Sequence, residues 1–173
     1  IYRDVEKIKK MINDEKDIAC IILEPVPANK GLIIMEKVFL KFLRDICDEN
    51  NILLIFDEVI SGFRVALGGA QELYNISADL TILGKIIGGE YPVGAFGGKE
   101  EIRNMVAPVG NVYHAGTLSG NPVSVTAGLE TIGTIRKTEN FYKNLEEKVS
   151  GLVEKIQDLI NKNEINFIVV EGN

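Results

Sequence analysis

The chain has 173 residues, of which 46% are hydrophobic and 25% charged, a composition that supports a substantial core without disulfide or metal staples. Its formal net charge is -6, from 25 acidic and 19 basic residues, which leaves no electrostatic footprint for nucleic acid. A single histidine, His114, cannot build a zinc-type cluster, and no run approaches the ~20 apolar residues of a membrane helix.

In chain order, the first pattern is amphipathic (Val5, Ile8, Ile12) and has no initiating methionine. With a second ragged edge at Gly172-Asn173, just past a strand-like run at 165–170, the chain reads as an internal segment of a longer protein. The apolar run Ile18-Ala19-Cys20-Ile21-Ile22-Leu23 predicts a strand ended by Glu24-Pro25, since proline cannot join a strand ladder. Phe39, Leu40, Leu43, Ile46 and Cys47 fall at helical spacing and predict a helix. Cys20 and Cys47 both lie in apolar patterns, so they read as buried, reduced thiols and point to a cytoplasmic setting.

The runs Ile52-Leu53-Leu54-Ile55-Phe56 and Leu80-Thr81-Ile82-Leu83 are continuous rather than alternating, as in strands of a parallel sheet covered on both faces. Glycines then punctuate the middle of the chain, among them Gly62, Gly84, Gly94 and Gly116. So many positions that tolerate tight turns or a close ligand imply turns around a site rather than a linker. Residues 92–98 read as a short strand. Asn121-Pro122 is a cap and first-turn proline, after which Val125, Leu129, Ile132 and Ile135 form one helical face. From Phe141 onward, Leu145, Val149, Leu152, Ile156 and Leu159 predict a long amphipathic helix, a natural bridge to another domain. The expected class is α/β, a mainly parallel sheet flanked by helices. Residues 1–138 would belong to a large domain, and 139–173 would supply a linking helix and the first strand of a small C-terminal α+β domain.

Two strand ends carry the chemistry. Asp57 follows the second run, and Lys85 follows the third through one glycine. Ligands of open α/β sheets bind beyond the carboxyl ends of the strands. A lysine between Leu83, Ile86 and Ile87 is expected to be poorly solvated, which would lower its pKa and free the amine as a Schiff-base nucleophile; the plain alternative is a turn lysine with its head in water. An aspartate at a buried strand end can keep a heterocyclic nitrogen protonated, bind magnesium in the manner of a Walker-B strand, or cap the following turn. A phosphate loop is excluded because Gly84-Lys85 is followed by isoleucine. Hydroxyls and glycines in Ala115-Gly116-Thr117-Leu118-Ser119-Gly120-Asn121 suit a phosphate cradle before a helix or an ordinary cap and turn.

Taken together, Glu24-Pro25-Val26, Phe56-Asp57-Glu58-Val59, Ser61-Gly62-Phe63-Arg64, Gly68-Gly69-Ala70-Gln71, Leu83-Gly84-Lys85-Ile86-Ile87-Gly88-Gly89, Pro92-Val93-Gly94-Ala95-Phe96-Gly97-Gly98 and Ala115-Gly116-Thr117-Leu118-Ser119-Gly120-Asn121-Pro122 resemble the class III pyridoxal-phosphate aminotransferases. The likeness is to the aminomutase branch of that family. It implies a fold-type-I large domain, a homodimer with active sites at the subunit interface, and conversion of glutamate-1-semialdehyde, a small amino aldehyde, to 5-aminolevulinate for porphyrin synthesis. It implies pyridoxal 5'-phosphate as cofactor, with a pyridoxamine 5'-phosphate form in the cycle, and a cytoplasmic location, or a plastid one in a plant-type source.

By the same resemblance Lys85 is the catalytic, cofactor-anchoring amine and Asp57 the partner of the ring nitrogen. Val59 lies against the ring face, Asn29 near the ring hydroxyl, and Gly116 with Thr117 reaches the phosphate held by the neighbouring subunit. Ile60, where family transaminases commonly carry glutamine, favours the aminomutases over an ω-aminotransferase using a keto-acid acceptor. Pro27-Ala28, Glu90 and His114 depart from the usual aminomutase pattern and affect loop detail. The family's glycine-serine-threonine phosphate cup would precede Ile1 and most of the small domain would follow Asn173. The segment alone is therefore expected to bind cofactor weakly, and a non-catalytic dimerising scaffold is the reading from another class.

Overall fold

The computed structural model describes residues 3–29 and 31–165; all but the first residue of the strand-like run 165–170 lies outside them. Four strands form one sheet in the order β1 (Cys20–Leu23), β2 (Leu53–Glu58), β3 (Leu80–Leu83), β4 (Ala95–Gly98). The first three are parallel and β4 runs antiparallel to β3. The apolar runs at 18–23, 52–56 and 80–83 become β1, β2 and β3, the first two with shifted limits and the third with the expected ones. β2 continues past Phe56 through Asp57 to Glu58, and β4 starts only at Ala95, beyond Pro92, which has no amide to donate.

Helices α1 (Val5–Asp14), α2 (Lys37–Asn50) and α3 (Gly69–Tyr74) accompany the parallel strands. The Asp4 side chain caps α1 by accepting the Lys7 amide at 3.0 Å, satisfying one of the amides a helix start leaves unpaired. Helix α2 crosses from β1 to β2 and presents Leu40, Leu43, Ile46 and Cys47 to the sheet, the face its spacing predicts.

The alternation of β2 decides the layering. Leu54, Phe56 and Glu58 are buried, whereas Leu53, Ile55 and Asp57 are half-buried, because successive side chains of a strand point to opposite faces. The buried set meets α2, together with Ala70 and Tyr74 of α3, in one core. Full burial of side chains such as Leu54 and Phe56 contributes roughly 1.5–3 kcal/mol each. On the other face, registered pairing lines up Ile22 with Ile55, Ile55 with Leu80, Asp57 with Ile82, and Ile82 with Phe96. That face is open in the described residues, with Ile22 56% and Phe96 44% exposed.

Register explains the one departure among the cysteines. Cys47 is fully buried, and burial pushes its thiol up to about 11. Cys20, paired in register with Leu53, falls on the open face and is exposed, contrary to the buried position its apolar neighbours suggest.

The amino end of the sheet is tied by a buried carboxylate. Asp79 immediately precedes β3, and its side chain is only 2% exposed. Its Oδ2 accepts the Leu54 amide at 2.7 Å and meets the Arg44 guanidinium at 2.9 Å, while Oδ1 meets the Lys99 ammonium at 2.6 Å. One residue thus links α2, β2 and the chain just after β4. Burial alone would raise its pKa, but the Lys99, Leu54 and Arg44 contacts together hold the carboxyl below the ordinary value of 3.8.

Helices α4 (Glu100–Arg103), α5 (Pro122–Lys137) and α6 (Phe141–Lys162) complete the described chain. Helix α6 is the long helix expected, and Leu145, Val149, Leu152, Ile156 and Leu159 remain exposed along it. Near its start, the Tyr142 hydroxyl donates to the Phe63 carbonyl at 2.9 Å, fastening α6 to the loop that follows β2.

Replacing Asp79 by alanine in the full-length protein leaves the buried Leu54 amide without its acceptor and takes from Arg44 one of its two carboxylate partners, Asp48 remaining, and is expected to cost roughly 1–3 kcal/mol. Because folding depresses the Asp79 pKa, its contribution is present above 3.8 and is lost as the pH falls through the lower folded-state value. Urea unfolding of wild type and Asp79→Ala at neutral pH and in acid should therefore show a gap that narrows only in acid.

Candidate active site

Three segments converge on the open face beyond the carboxyl ends of β2 and β3. From β2 come Ile55, Asp57 and Val59, which share one side of the strand by alternation. From β3 come Leu80 and Ile82, then Gly84 and Lys85. The third is the stretch Val93 to Phe96, with His114 to Gly120 alongside. These segments surround a cavity of about 940 Å³ lined by Ile55, Val59, Ile82, Gly84, Lys85, Gly94, Phe96, His114, Gly116 and Ser119, among others.

Asp57 stands in the row between Ile55 and Val59, next to Ile82 across the strand pair, half-buried and just outside the residues that line the cavity. Its Oδ1 accepts the Val59 amide at 3.1 Å. That bond orients the carboxylate at the strand end and leaves Oδ2 without a hydrogen bond among the described residues. The cap-like alternative from the sequence is therefore present in part, as one oxygen of a carboxylate that keeps the other for a ligand.

Lys85 is the first residue of a 3₁₀ turn, Lys85–Gly88, and has a φ of 47°. Left-handed backbone in a non-glycine residue costs on the order of 1–2 kcal/mol, and such strain concentrates at functional positions. The expectation of a poorly solvated lysine is not met in this chain. Lys85 is exposed while its neighbours Leu83, Ile86 and Ile87 are half-buried, and Lys85 lines the cavity while Ile86 and Ile87 do not.

The Lys85 turn is seated on α5. A Cβ on Gly128 would lie 2.0 Å from the Ile87 carbonyl oxygen, and one on Gly89, whose φ is +56°, would lie 2.5 Å from Thr131 Oγ1 and 2.9 Å from the Ala127 carbonyl. The packed face of α5 is therefore Ser124, Gly128 and Ile135. The apolar stripe expected to pack includes Val125 and Leu129, which are exposed. Backbone-to-backbone approach needs small residues, and hydrophobic periodicity does not register them.

The turn before α5 resolves as a cap. Asn121 Oδ1 accepts the amides of Val123 and Ser124 at 3.1 and 3.3 Å, so these helix-start donors are taken. The Ser119 amide donates to the Gly116 carbonyl at 3.0 Å, and a Cβ on Gly116 would fall 2.6 Å from Ser119 Oγ. Gly116 reaches the cavity; Thr117 is exposed and outside its lining. Asn29, exposed in the turn after β1, also lies outside it. His114 joins the wall through an edge-on contact with Phe96, ring centroids 5.4 Å apart.

The donor set suits pyridoxal phosphate in its ring-binding half. It offers an apolar floor, a carboxylate with a free oxygen, and a primary amine one strand over. Gly94 lines the same cavity, and a Cβ there would meet no atom within 4 Å.

The family described as Aminotransferase class-III matches residues 1–173. The chain belongs to that family. Over 168 residues it is 56% identical to a glutamate-1-semialdehyde 2,1-aminomutase of Fusobacterium nucleatum, covering 97% of this chain and 38% of that protein. It is 55% identical to the protein of the same name from Chlorobium phaeobacteroides, covering 96% and 39%. The chain thus spans well under half the length of these relatives. Among solved structures it is similar to an omega-transaminase from Sphaerobacter thermophilus, with a TM-score of 0.84 at 34% identity over 93% of this chain and 37% of that one. A transaminase with PLP bound gives 0.85 at 27% identity, over 95% and 39%. The α/β sheet described above is therefore part of the fold-type-I domain of these enzymes.

Gly128→Ala is expected to destabilise the full-length protein by roughly 1–3 kcal/mol, because the new methyl meets backbone of the Lys85 turn rather than a movable side-chain end. Gly133, in the same helix, has nothing within 4 Å of its would-be Cβ. Gly133→Ala should leave stability unchanged or raise it by up to about 1 kcal/mol, and parallel thermal unfolding of the two variants checks the contrast.

Proposed function

We propose that the protein of which this chain is a segment converts glutamate-1-semialdehyde to 5-aminolevulinate, an isomerisation that feeds porphyrin synthesis, with pyridoxal phosphate as cofactor. The observation that carries the reading is the placement of Lys85, at a strained backbone position, on a cavity that Ile55 and Val59 also line, with Asp57 in the same row of β2 between them. The names of relatives more than 50% identical to this chain support the choice of substrate.

When bound, pyridoxal phosphate supplies an electron sink that acidifies a C–H bond beside an amino-bearing carbon. Lys85 is the residue that would hold the cofactor, through Nζ, and the same nitrogen, when free, would be the base that moves a proton between carbons. The free Oδ2 of Asp57 keeps the ring nitrogen protonated, and Val59 packs on the ring face. Gly116 and Thr117 would serve the phosphate across a subunit boundary, and Asn29, outside the lining of the cavity in this chain, would approach the ring hydroxyl from the turn after β1. The reading includes the pyridoxamine form of the cofactor, which makes a second keto acid unnecessary.

The domain division fits the same picture: residues 1–138 in the large domain, 139–173 leading into the small one. The exposed apolar side chains Met105, Val109, Tyr113 and Leu118 support a homodimer with its sites at the interface. Two free cysteines support a cytoplasmic setting.

The test is the full-length protein with glutamate-1-semialdehyde and no keto acid. Formation of 5-aminolevulinate is expected, with a fall of roughly 10²–10⁴-fold in Lys85→Ala and of roughly 10²–10³-fold in Asp57→Asn. A strict requirement for a keto acid would replace the aminomutase reading by that of an ω-aminotransferase. Absence of both turnover and cofactor uptake would leave a dimerising scaffold.

A further inference from the structure

We propose that Glu58 is a positioning residue for the cofactor site: its buried carboxylate fixes the carboxyl end of β2 so that Asp57 and Val59 keep one orientation on the open face of the sheet. The proposal rests on the cofactor reading above and adds to it a residue that touches neither cofactor nor substrate. Glu58 is next to Asp57 in sequence, yet alternation sends it to the opposite, core face, where it is 1% exposed.

Four donors converge on it there. Oε2 accepts the Ser61 hydroxyl at 3.0 Å and the Ala70 amide at 2.6 Å; Oε1 accepts the Gln71 amide at 3.4 Å and the Gln71 side-chain amide at 3.2 Å. Gln71 carries the connection onward. Its Nε2 also donates to Thr81 Oγ1 of β3 at 2.9 Å, and its Oε1 accepts the Ala78 amide at 2.9 Å. The loop after Asp57, the start of α3, and β3, whose carboxyl end leads to Lys85, are thereby tied to one buried carboxylate.

Two glycines make the arrangement sterically possible. Gly69 has a φ of +66°, and a Cβ there would fall 2.2 Å from Glu58 Oε2. A Cβ on Gly62 would fall 2.5 Å from Leu83 Cδ2 and 2.7 Å from the Glu58 carbonyl, which accepts the Gly62 amide at 2.9 Å. The spacing from Glu58 to Ser61-Gly62 and on to Gly69-Ala70-Gln71 is thus the spacing this network requires. Only an acceptor on both oxygens satisfies it, since an amide at position 58 sets an N–H₂ against donors. The bond that aims Asp57 runs to the amide of Val59, the residue directly after Glu58, so a shift at 58 is passed to the carboxylate on the open face.

The experiment uses full-length protein titrated with pyridoxal phosphate. Wild type is expected to show a visible absorbance band that Lys85→Ala lacks. Glu58→Gln should retain a band but shift the pH midpoint at which it changes, and should weaken cofactor retention by roughly 10–100-fold, the scale of a small misplacement transmitted to a site. Ser61→Ala, which removes one donor and leaves the carboxylate, should move both readouts the same way by less; it decides the matter alone if Glu58→Gln does not fold. Variants that lose thermal stability but keep the wild-type midpoint and affinity overturn the proposal, because Glu58 would then only hold the loop together. A wild-type protein that takes up no cofactor overturns the underlying reading and the proposal with it, so the two failures are distinguishable.

Discussion

The register of β2 is the constraint on which the rest of the structure depends. Its amino end is held by Asp79, which accepts the Leu54 amide, and its carboxyl end by the donors gathered on Glu58. A strand slipped by one residue would present every side chain to the opposite face. It would bury Asp57 in the core beneath α3 and turn Glu58 toward the cavity, with neither carboxylate matched to its surroundings. Two buried anions at the ends of one short strand make that slip costly. In consequence the face carrying Ile55, Asp57 and Val59 is set before any ligand arrives.

The two faces of the sheet then differ in kind. The face under α2 and α3 is closed by side chains of the chain itself, whereas the face bearing Ile22, Ile82 and Phe96 is half open. Lys85 belongs to the open side, and its exposure follows from that. On the proposed reading, removal of water from the lysine is a property of the assembled protein with cofactor and neighbouring subunit, and local sequence does not supply it. The strained backbone at Lys85, by contrast, is local, and it is maintained by the close seating of Gly128 and Gly89 between the turn and α5.

How much of this was legible in the sequence varied with the kind of signal. Continuous apolar runs located all three parallel strands, and Asn121-Pro122 located the start of α5, because burial and capping leave marks at fixed positions. Helix α3 left no such mark. It has six residues, too few for a periodic face, and its start is held by the side chain of Glu58 twelve residues upstream of Ala70. The packed side of α5 is legible only in its second half for a related reason: Ile135 of the apolar stripe is buried, but in the first half the contact is made by Ser124 and Gly128 while Val125 and Leu129 are exposed. Cys20 was misplaced because its neighbours were read as a block rather than by alternation. Parity would also have found Glu58, as a charged residue in phase with Leu54 and Phe56 has to bring its own donors.

The same parity bears on the magnesium alternative for Asp57. A Walker-B-like site would draw on the carboxylate that ends the strand and on groups close to it, and Glu58 is the nearest acid in sequence. Alternation separates the two side chains by the thickness of the sheet, and each Glu58 oxygen already accepts two hydrogen bonds from Ser61, Ala70 and Gln71. A carboxylate saturated by N–H and O–H donors in a closed core has no lone pair to direct at a cation on the far face. Asp57 is left in a row with Ile55 and Val59 and across from Ile82, surroundings that favour a planar, partly apolar ligand with a single basic nitrogen over a hydrated metal ion. The adjacent acids of Asp57-Glu58 therefore divide into one that holds the strand and one that meets the ligand, and neither can take the other's place.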